Sequence, residues 1–299
     1  MATTALAVTR HRPAHEFTVS RQPRRGVLGN LRLLTITAIA VAGLSVTPSS
    51  SAAGPFTAKI SNPTNTVGSA TYFTCSNAAI GDAAFLAYPL NDTTGTTASD
   101  ISGNNRTGAY QGTVTRTASK ACNRDTSGSA LFNGSSNYVS TPTSITGPGV
   151  FTIEVWFNTT TTTGGKLIGF GNLATGTSSS YDRHLYLTNT GQLVFGVYPN
   201  AVKTITSPGS YNNGAWHHAA ATLSAAGMVL YVDGANVATD PATTTAQAYT
   251  GFWRFGYDNL SGWTSQPSSA YYAGNLAYAA VYSTALTATQ IKNHYIAGR

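Results

Sequence analysis

The sequence predicts an all-β protein, built as one two-sheet antiparallel sandwich with a single short C-terminal helix. After residue 53, apolar residues recur with a period of two in many short stretches, separated by Gly, Asn and Ser clusters. A sustained 3.6-residue period occurs only in the last dozen residues. A dozen or so strands in about 215 residues match one sandwich. The sequence shows no self-similar period, so a repeat architecture is not expected.

The N-terminal residues have the layout of an export signal. Residues 33–46 are uncharged and mostly apolar, with arginines before them and small residues after them. Ser51 and Ala53 have the spacing that a signal peptidase reads, which predicts a signal peptide over residues 1–53 and cleavage after Ala53. The alternative is an anchor that stays in the membrane, but an apolar helix of this length spans about 21 Å, less than a ~30 Å hydrocarbon core. We therefore expect a protein that is secreted or at the extracellular surface, with membrane contact only through an uncleaved leader.

The charge of the chain gives no support for nucleic-acid binding. The formal net charge is +7, but six arginines lie before Ala53, and the remainder carries only about +2 without any basic run. About a quarter of the chain is Ser or Thr, so hydroxyl groups rather than charges keep it soluble, as in many extracellular β-proteins. With 41% hydrophobic residues the chain has enough apolar side chains for a core.

Two cysteines, Cys75 and Cys122, follow the predicted leader. In an oxidising compartment such a pair most often forms a disulfide, which would stabilise the fold by about 4 kcal/mol for a loop of this length. The alternative is two separate buried thiols, because spacing alone does not establish contact. His217 and His218 are adjacent in the chain, which does not give the ligand spacing of a zinc site.

The strand predictions follow the apolar pattern along the chain. Residues 151–157 place Phe151, Ile153, Val155 and Phe157 on one face of a strand. Two hairpins are expected: residues 185–188 with 193–198 around a turn containing Gly191, and residues 228–232 with 235–238 around Asp233 and Gly234. Further strands are predicted at residues 166–171, 216–223, 253–256 and 271–282.

The two ends of the mature chain differ from this pattern. Thr287 and Gln290 fit a capping box, which predicts a helix over residues 288–297 that ends at Gly298. Residues 54–83 form a Thr- and Asn-rich segment too short to fold alone. We interpret this segment as strands or an arm joined to the main domain, residues 84–299, through Cys75.

Several short motifs follow one another between residues 88 and 291. They are YPLND (88–92), the turn-rich residues 95–104, LFNG (131–134), FTIEVWF (151–157), WHH (216–218), LYVDG (230–234), GNL (274–276) and ALTATQI (285–291). In this order they resemble the laminin-G-like domains of the concanavalin A-like lectin/glucanase superfamily. The resemblance implies a concanavalin A-like jelly-roll sandwich that binds glycans or proteins, often with calcium. Where many relatives carry an Asp-Glu pair near the last strand, this chain has Asn275 and Leu276, which puts the role of those acids in doubt.

The same superfamily includes glycoside hydrolases, which need two carboxyl groups flanking the bond to be cleaved. Glu154 is the only glutamate after the leader, and its same-face neighbours are Thr152 and Trp156. Asp182 or Asp258 could supply a second acid only from another segment. We therefore expect a non-catalytic module that binds a polysaccharide, or a glycan or protein of a cell surface. One alternative is a structural or adhesive protein of the cell envelope or matrix. A less favoured alternative is a glycoside hydrolase.

Aromatic rings and short polar side chains, the groups that commonly recognise sugars, are concentrated in one stretch. The candidate ligand-binding residues are Trp253, Tyr257, Asp258, Asn259, Trp263 and Tyr271. The alternative is that Trp253, Trp263 and Tyr271 are packing residues. Asp100 with Asn104, or Asp258 with Asn259, could offer oxygen ligands to calcium, but either pair could equally form an Asx turn.

Overall fold

The computed structural model describes residues 70–125 and 128–299 of the chain. The predicted signal peptide, its cleavage site at Ala53 and most of the predicted arm lie outside the described residues. In chain order the elements are α1 (Cys75–Gly81), β1 (Leu86–Tyr88), β2 (Thr97–Ala98), β3 (Gly108–Gln111), β4 (Thr115–Thr117), β5 (Ser129–Asn133), β6 (Tyr138–Ser140), β7 (Ile145–Thr146), β8 (Phe151–Asn158), β9 (Gly165–Gly171), β10 (Tyr181–Leu187), β11 (Gln192–Val197), β12 (Lys203–Ser210), β13 (Trp216–Ser224), β14 (Gly227–Val232), β15 (Ala235–Asp240), β16 (Thr250–Phe255), β17 (Ala273–Tyr282) and α2 (Ala288–Ala297).

The strands form two antiparallel sheets, as the sequence predicts. The first sheet has the order β15-β14-β13-β8-β17-β5-β4, with β1 also paired to β17. The second sheet has the order β12-β11-β10-β9-β16-β6-β3-β2, with β7 also paired to β16. Neighbouring strands are distant in the chain at several places, for example β8 beside β17. The arrangement is a jelly-roll sandwich.

The main core lies between the two sheets because the apolar sides of their strands face each other. Phe151, Ile153, Val155 and Phe157 of β8 all belong to this core, which confirms the predicted alternation. The second sheet contributes side chains such as Phe195, and its ring lies 6.1 Å from that of Phe151. Burial of these rings and branched side chains, at roughly 25 cal/mol per Å² of apolar surface, is the main force that holds the sheets together.

Both predicted hairpins are present. Residues 188–191 connect β10 and β11, which pair in register. Asp233 and Gly234 connect β14 and β15, and both have positive φ angles, 51° and 76°. A two-residue hairpin turn of this kind needs positive φ at both positions, which is why the Asp-Gly dipeptide predicts it.

The C-terminal helix begins and ends where the sequence predicts. The Thr287 side chain accepts a hydrogen bond from the Gln290 backbone, and the Gln290 side chain bonds the Thr287 backbone in return. Gly298 follows the helix with a φ of −83°. A Cβ atom at Gly298 would lie 2.3 Å from the Trp156 ring, so this glycine is required by close packing and not by a left-handed turn.

The predicted arm contains a helix where strands were one expectation. Thr74 caps α1 by accepting a hydrogen bond from Asn77, and the Asp125 carboxylate accepts from the Cys75 backbone at 2.9 Å and the Ser76 hydroxyl at 2.8 Å. Seven residues are too few to show a helical period, so the sequence did not reveal this element. The disulfide between Cys75 and Cys122 is confirmed, with a Cα–Cα distance of 6.2 Å.

Each sheet is also covered on its outer side. The helices α1 and α2 lie on the outer face of the first sheet, where Ala79 and Ile291 pack against Ala280 and Tyr282. On the outer face of the second sheet, Leu260 and Trp263 pack against Tyr186 and Val194 of its strands. Within residues 70–125 and 128–299, no helix is long and apolar enough to cross a membrane.

Candidate ligand-binding site

A cavity of about 370 Å³ opens where the core between the sheets meets three surface connections. We call it the mouth cavity, and it is lined by residues 85–86, 104–107, 141–143, Ile145 and Trp253. Small-molecule sites have volumes of about 300–1,000 Å³. The mouth cavity is therefore large enough for a small ligand or for one terminal unit of a larger one.

The inner wall of the mouth cavity is apolar. Leu86 and Trp253 belong to the core between the sheets and are fully buried, while Phe85 and Ile145 pack against the same core. The Trp253 ring lies 5.0 Å from Phe170, and its indole N–H has no hydrogen-bond partner among the described residues. The wall therefore offers apolar contact and leaves one buried donor unused.

The outer rim of the mouth cavity is polar and held in place by hydrogen bonds. The Asp100 carboxylate accepts from the backbone N–H groups of Ala87, Ser102 and Arg106 at 2.8–3.0 Å, and from the Ser102 hydroxyl. These bonds fix the loop that carries residues 104–107. On the other side, the Thr141 hydroxyl accepts from the Trp253 backbone N–H at 3.1 Å. An apolar wall with a few fixed polar groups is the usual composition of a ligand site.

The predicted ligand-binding loop is packed against the second sheet. Trp263 is only 5% exposed, and its ring lies 4.3 Å from His184. Asp258 is fully buried, where its Oδ1 accepts from the Ser178 backbone at 3.1 Å. The Asn259 side chain donates to the Ser178 carbonyl oxygen at 3.0 Å.

The rings of Trp253 and Trp263 are buried, as the packing alternative expects. A part of these two residues in ligand binding stays a prediction. Tyr257 and Tyr271 stack on each other, with 3.6 Å between their ring centroids and 8° between their planes. Tyr257 is buried and Tyr271 is half-buried, so most of the pair is shielded from solvent.

Glycines of the second sheet explain why the Trp263 and Asp258 side chains of this loop are buried. A Cβ atom at Gly196 would lie 2.5 Å from the Trp263 ring, and one at Gly171 would lie 2.1 Å from Asp258 Oδ2. The missing side chains leave a trough on the outer face of the sheet, and the loop fills it. The composition of the loop alone could not reveal this fit.

Beneath the loop lie several buried polar groups. Lys166 is fully buried and donates to the Asn259 carbonyl oxygen at 2.9 Å. Burial lowers the pKa of Lys166 to about 7, although Asp258 acts in the opposite direction. Neither ring nitrogen of His184 has a hydrogen-bond partner among the described residues, and burial, with Lys166 nearby, keeps its pKa well below the usual value.

Glu154 lies on the outer face of the first sheet, beneath the two helices. Its carboxylate is 2.9 Å from His294 Nδ1 and 3.2 Å from His218 Nε2, and it accepts from the Tyr282 hydroxyl at 2.5 Å. His294 Nε2 is in turn 2.8 Å from Asp82 Oδ2. The imidazole of His294 therefore stands between the two carboxylates.

The charges of this network stabilise one another. Burial alone would raise the pKa of Glu154, but His294 and His218 outweigh it and hold the pKa far below its usual range. Burial alone would lower the pKa of His294, but Glu154 and Asp82 outweigh it and raise the pKa to about 9. Glu154 is thus an ionised, fully paired carboxylate.

The geometry around Glu154 leaves no room for a sugar. The void beside it has a volume of about 10 Å³, enough for one water molecule at most. Asp182 pairs with Arg183 at 3.1 Å, and Asp258 lies 3.6 Å from Arg254. Both of these acids therefore have partners on the second sheet, away from the face of the first sheet that carries Glu154.

His217 and His218 point to opposite faces of β13, because successive side chains of a strand alternate between its two faces. The His217 ring lies 5.8 Å from Phe157, a residue of the core between the sheets, and its Nδ1 is 2.8 Å from Asp233. His218 lies against Trp156 on the outer face. Both rings are mostly buried.

The candidate metal ligands among the described residues are engaged with protein groups. Among the described residues, one cluster combines three such groups, namely Cys75, Cys122 and Asp125, but its two sulfur atoms form the disulfide. The Asp100 oxygens accept four hydrogen bonds from N–H and O–H donors, which occupy the positions a calcium ion would need. Asp258 lies beside Arg254, whose charge opposes a cation. These residues do not fit calcium, and the Asx-turn alternative fits Asp100.

Comparison with known proteins identifies the family. The profile of Laminin_G_3, described as the concanavalin A-like lectin/glucanases superfamily, matches residues 133–292, more than half of the chain. The chain belongs to this laminin-G-like family. No curated protein sequence matches it.

Several solved structures share the fold of this laminin-G-like domain. Domain 4 of AbnA, an extracellular arabinanase from Geobacillus stearothermophilus solved with arabinotriose, has 17% identity and a TM-score of 0.50, covering 71% of this chain and 98% of that one. The binding domain of botulinum neurotoxin DC, solved with SialylT, has 15% identity and a TM-score of 0.52, covering 74% and 52%. Trypanosoma rangeli sialidase with sialic acid has 13% identity and a TM-score of 0.50, covering 70% and 32%. The chain thus spans about a third of the sialidase and half of the toxin fragment.

Most of the mouth cavity of the laminin-G-like domain was missed by sequence reasoning. Of the candidate residues, only Trp253 lines it. The cavity is formed by connections far apart in the chain, so no local motif marks it. One signal was available: residues 104–107 (NNRT) are an exposed polar run with an arginine, in a chain with only 9% charged residues.

Proposed function

We propose that this laminin-G-like domain is exported and acts as a non-catalytic module that binds a polysaccharide or a cell-surface glycan through the mouth cavity. The observation that carries the proposal is the cavity itself, with a volume of about 370 Å³, an apolar wall and a fixed polar rim. Sugar rings combine apolar C–H faces with hydroxyl groups, and such a lining complements both.

Two proteins of similar fold support a glycan as the partner. The arabinanase domain was solved with arabinotriose and the toxin binding domain with SialylT. At 17% and 15% identity these likenesses concern the fold, so the ligand of this chain has to be established on its own residues.

The arrangement of acids supports binding without catalysis. Retaining and inverting hydrolases place two carboxyl groups across an open site, about 5 to 9.5 Å apart. Here Glu154 is buried, and His294 separates it from Asp82. The imidazole occupies the space between the two carboxylates, where a sugar would have to bind.

A glycan array with the purified full-length protein tests this proposal. We expect binding to at least one glycan class, without release of reducing sugar from the bound glycans. Absence of binding across the array would overturn the proposed function. Release of reducing sugar that disappears in the Glu154→Gln variant would show that the protein is a hydrolase.

Export is tested separately from binding. We expect the protein recovered from the medium of an expressing cell to begin at Gly54, because Ser51 and Ala53 fit the peptidase site. Recovery of the intact N-terminus in the membrane fraction would instead establish the anchored alternative.

A further inference from the structure

Arg106 lies at the rim of the mouth cavity. Its guanidinium is held in place by a ring but has no hydrogen-bond partner among the described residues. The side chain is exposed, and the guanidinium carbon lies 3.8 Å from the centroid of the Phe85 ring. Its backbone is fixed on both sides, because its N–H donates to Asp100 at 2.8 Å and its carbonyl accepts from the Tyr88 hydroxyl at 2.6 Å. A cation stacked on a ring keeps a defined orientation and loses little freedom when it binds a ligand.

The other arginines of the described residues have partners for their guanidinium groups. Arg183 and Arg254 lie beside buried aspartates, and Arg124 and Arg299 donate to backbone carbonyls. Arg116 also stacks on a ring at 3.8 Å, but it donates to three carbonyl oxygens. Within residues 70–125 and 128–299, no acidic side chain or carbonyl accepts from the Arg106 guanidinium.

Two residues that line the cavity have N–H donors without a partner in the part of the chain that the structure describes. The Arg106 guanidinium offers several N–H groups at the rim, and the buried Trp253 indole N–H has no partner among the described residues. The Asp100 carboxylate is already engaged by four donors, so it anchors the loop and leaves the guanidinium free. A ligand that pairs with these donors brings acceptors, and a planar carboxylate can accept from two N–H groups of the guanidinium at once.

We propose that the mouth cavity recognises a sugar unit that carries a carboxylate, such as a uronic acid, and that Arg106 binds this carboxylate. The inference rests on the proposed function and names its ligand class. The ring of the sugar lies against the apolar wall formed by Phe85 and Ile145, and its hydroxyl groups meet the amide and hydroxyl groups of residues 104–107 and Thr143.

The test compares acidic glycans with matched neutral forms. Polygalacturonate and hyaluronan are immobilised intact and after reduction of their carboxyl groups to alcohols, together with neutral and sulfated polysaccharides. We expect the full-length protein to bind the intact forms roughly ten- to a hundredfold more tightly than the reduced forms, the range for a hydrogen bond to a charged group.

Three variants assign this preference to Arg106. Arg106→Ala is expected to bind intact and reduced forms equally, and Arg106→Lys to keep part of the preference because it retains the charge without the planar pair of donors. Lys203→Ala removes an exposed charge away from the cavity and should leave the preference unchanged. Equal melting temperatures of the protein and its Arg106→Ala variant exclude misfolding as the cause.

The outcomes separate the two proposals. Equal binding of intact and reduced forms, or binding of neutral or sulfated glycans alone, overturns the inference and leaves the proposed function standing. A preference for the intact forms that persists in Arg106→Ala overturns the role of Arg106. Absence of binding to any glycan overturns the proposed function as well.

Discussion

Replacing His294 with alanine tests the account of the buried Glu154 network. The variant removes the imidazole that contacts Glu154 at 2.9 Å and Asp82 at 2.8 Å. Glu154 then remains buried with its charge only partly compensated by His218 and Tyr282. Breaking a buried pair in this way costs about 3–5 kcal/mol.

The raised pKa of His294 gives a second value for the stability that this side chain contributes. Glu154 and Asp82 raise the pKa from 6.5 to about 9 against the effect of burial, a difference of about 2.5 units. At 1.36 kcal/mol per unit this corresponds to about 3 kcal/mol. Because the folded-state pKa is the higher one, this stabilisation is fully present below pH 6.5 and is lost as the pH rises through about 9. Glu154 stays ionised throughout this window, since its pKa is lowered.

Urea unfolding of the protein and of His294→Ala, between pH 6 and pH 10, measures both effects. We expect the variant to lose about 3 kcal/mol of unfolding free energy at pH 6, with a smaller loss at pH 10. Lys292→Ala, an exposed position on the same helix, is the matched control and should change little. Adding Glu154→Gln to His294→Ala should restore part of the loss, because no buried charge is left without a partner. A loss under about 1 kcal/mol at pH 6, or one that does not change with pH, would refute the account.

Sequence patterns predicted those elements whose signals lie within a few consecutive residues. Three such signals each depend on ten residues or fewer, and the structure confirms all of them: the alternation in β8, the Asp233–Gly234 turn and the capping box of α2. By contrast, the first helix is too short for its period to show. Its first backbone N–H also donates to Asp125, which lies about fifty positions away.

The candidate site depended on packing between distant segments. The burial of Trp263 follows from the absence of a side chain at Gly196 in another strand, and a list of loop residues does not show it. Likewise, His294 meets Glu154 only because α2 lies across β8. The rim of the mouth cavity joins residues of three separate connections, which composition and periodicity do not bring together.

Two further changes test the second sheet. Gly196→Val should displace the Trp263 ring, because a Cβ there would lie 2.5 Å from it; we expect a loss of about 1–3 kcal/mol in urea unfolding. Gly209→Val, whose Cβ would meet nothing closer than 3.4 Å, is its control, and equal losses would contradict the packing argument. Lys166→Met should stabilise the protein by about 1–4 kcal/mol at pH 6, because burial lowers the lysine pKa to about 7. That gain should fade as the pH rises from 7 to 10.5, and a variant that is less stable at pH 6 would refute it.

The central claim is that a glycan binds in the mouth cavity and is not cleaved there. The most direct measurement is the NMR signal of the four tryptophan indole N–H groups during titration with the glycan that binds best on the array. We expect the Trp253 signal to shift, because this residue lines the cavity, while the Trp263 signal stays in place and the glycan spectrum shows no cleavage products. A shift of Trp263 with Trp253 unmoved, or the appearance of cleaved glycan, would contradict the account.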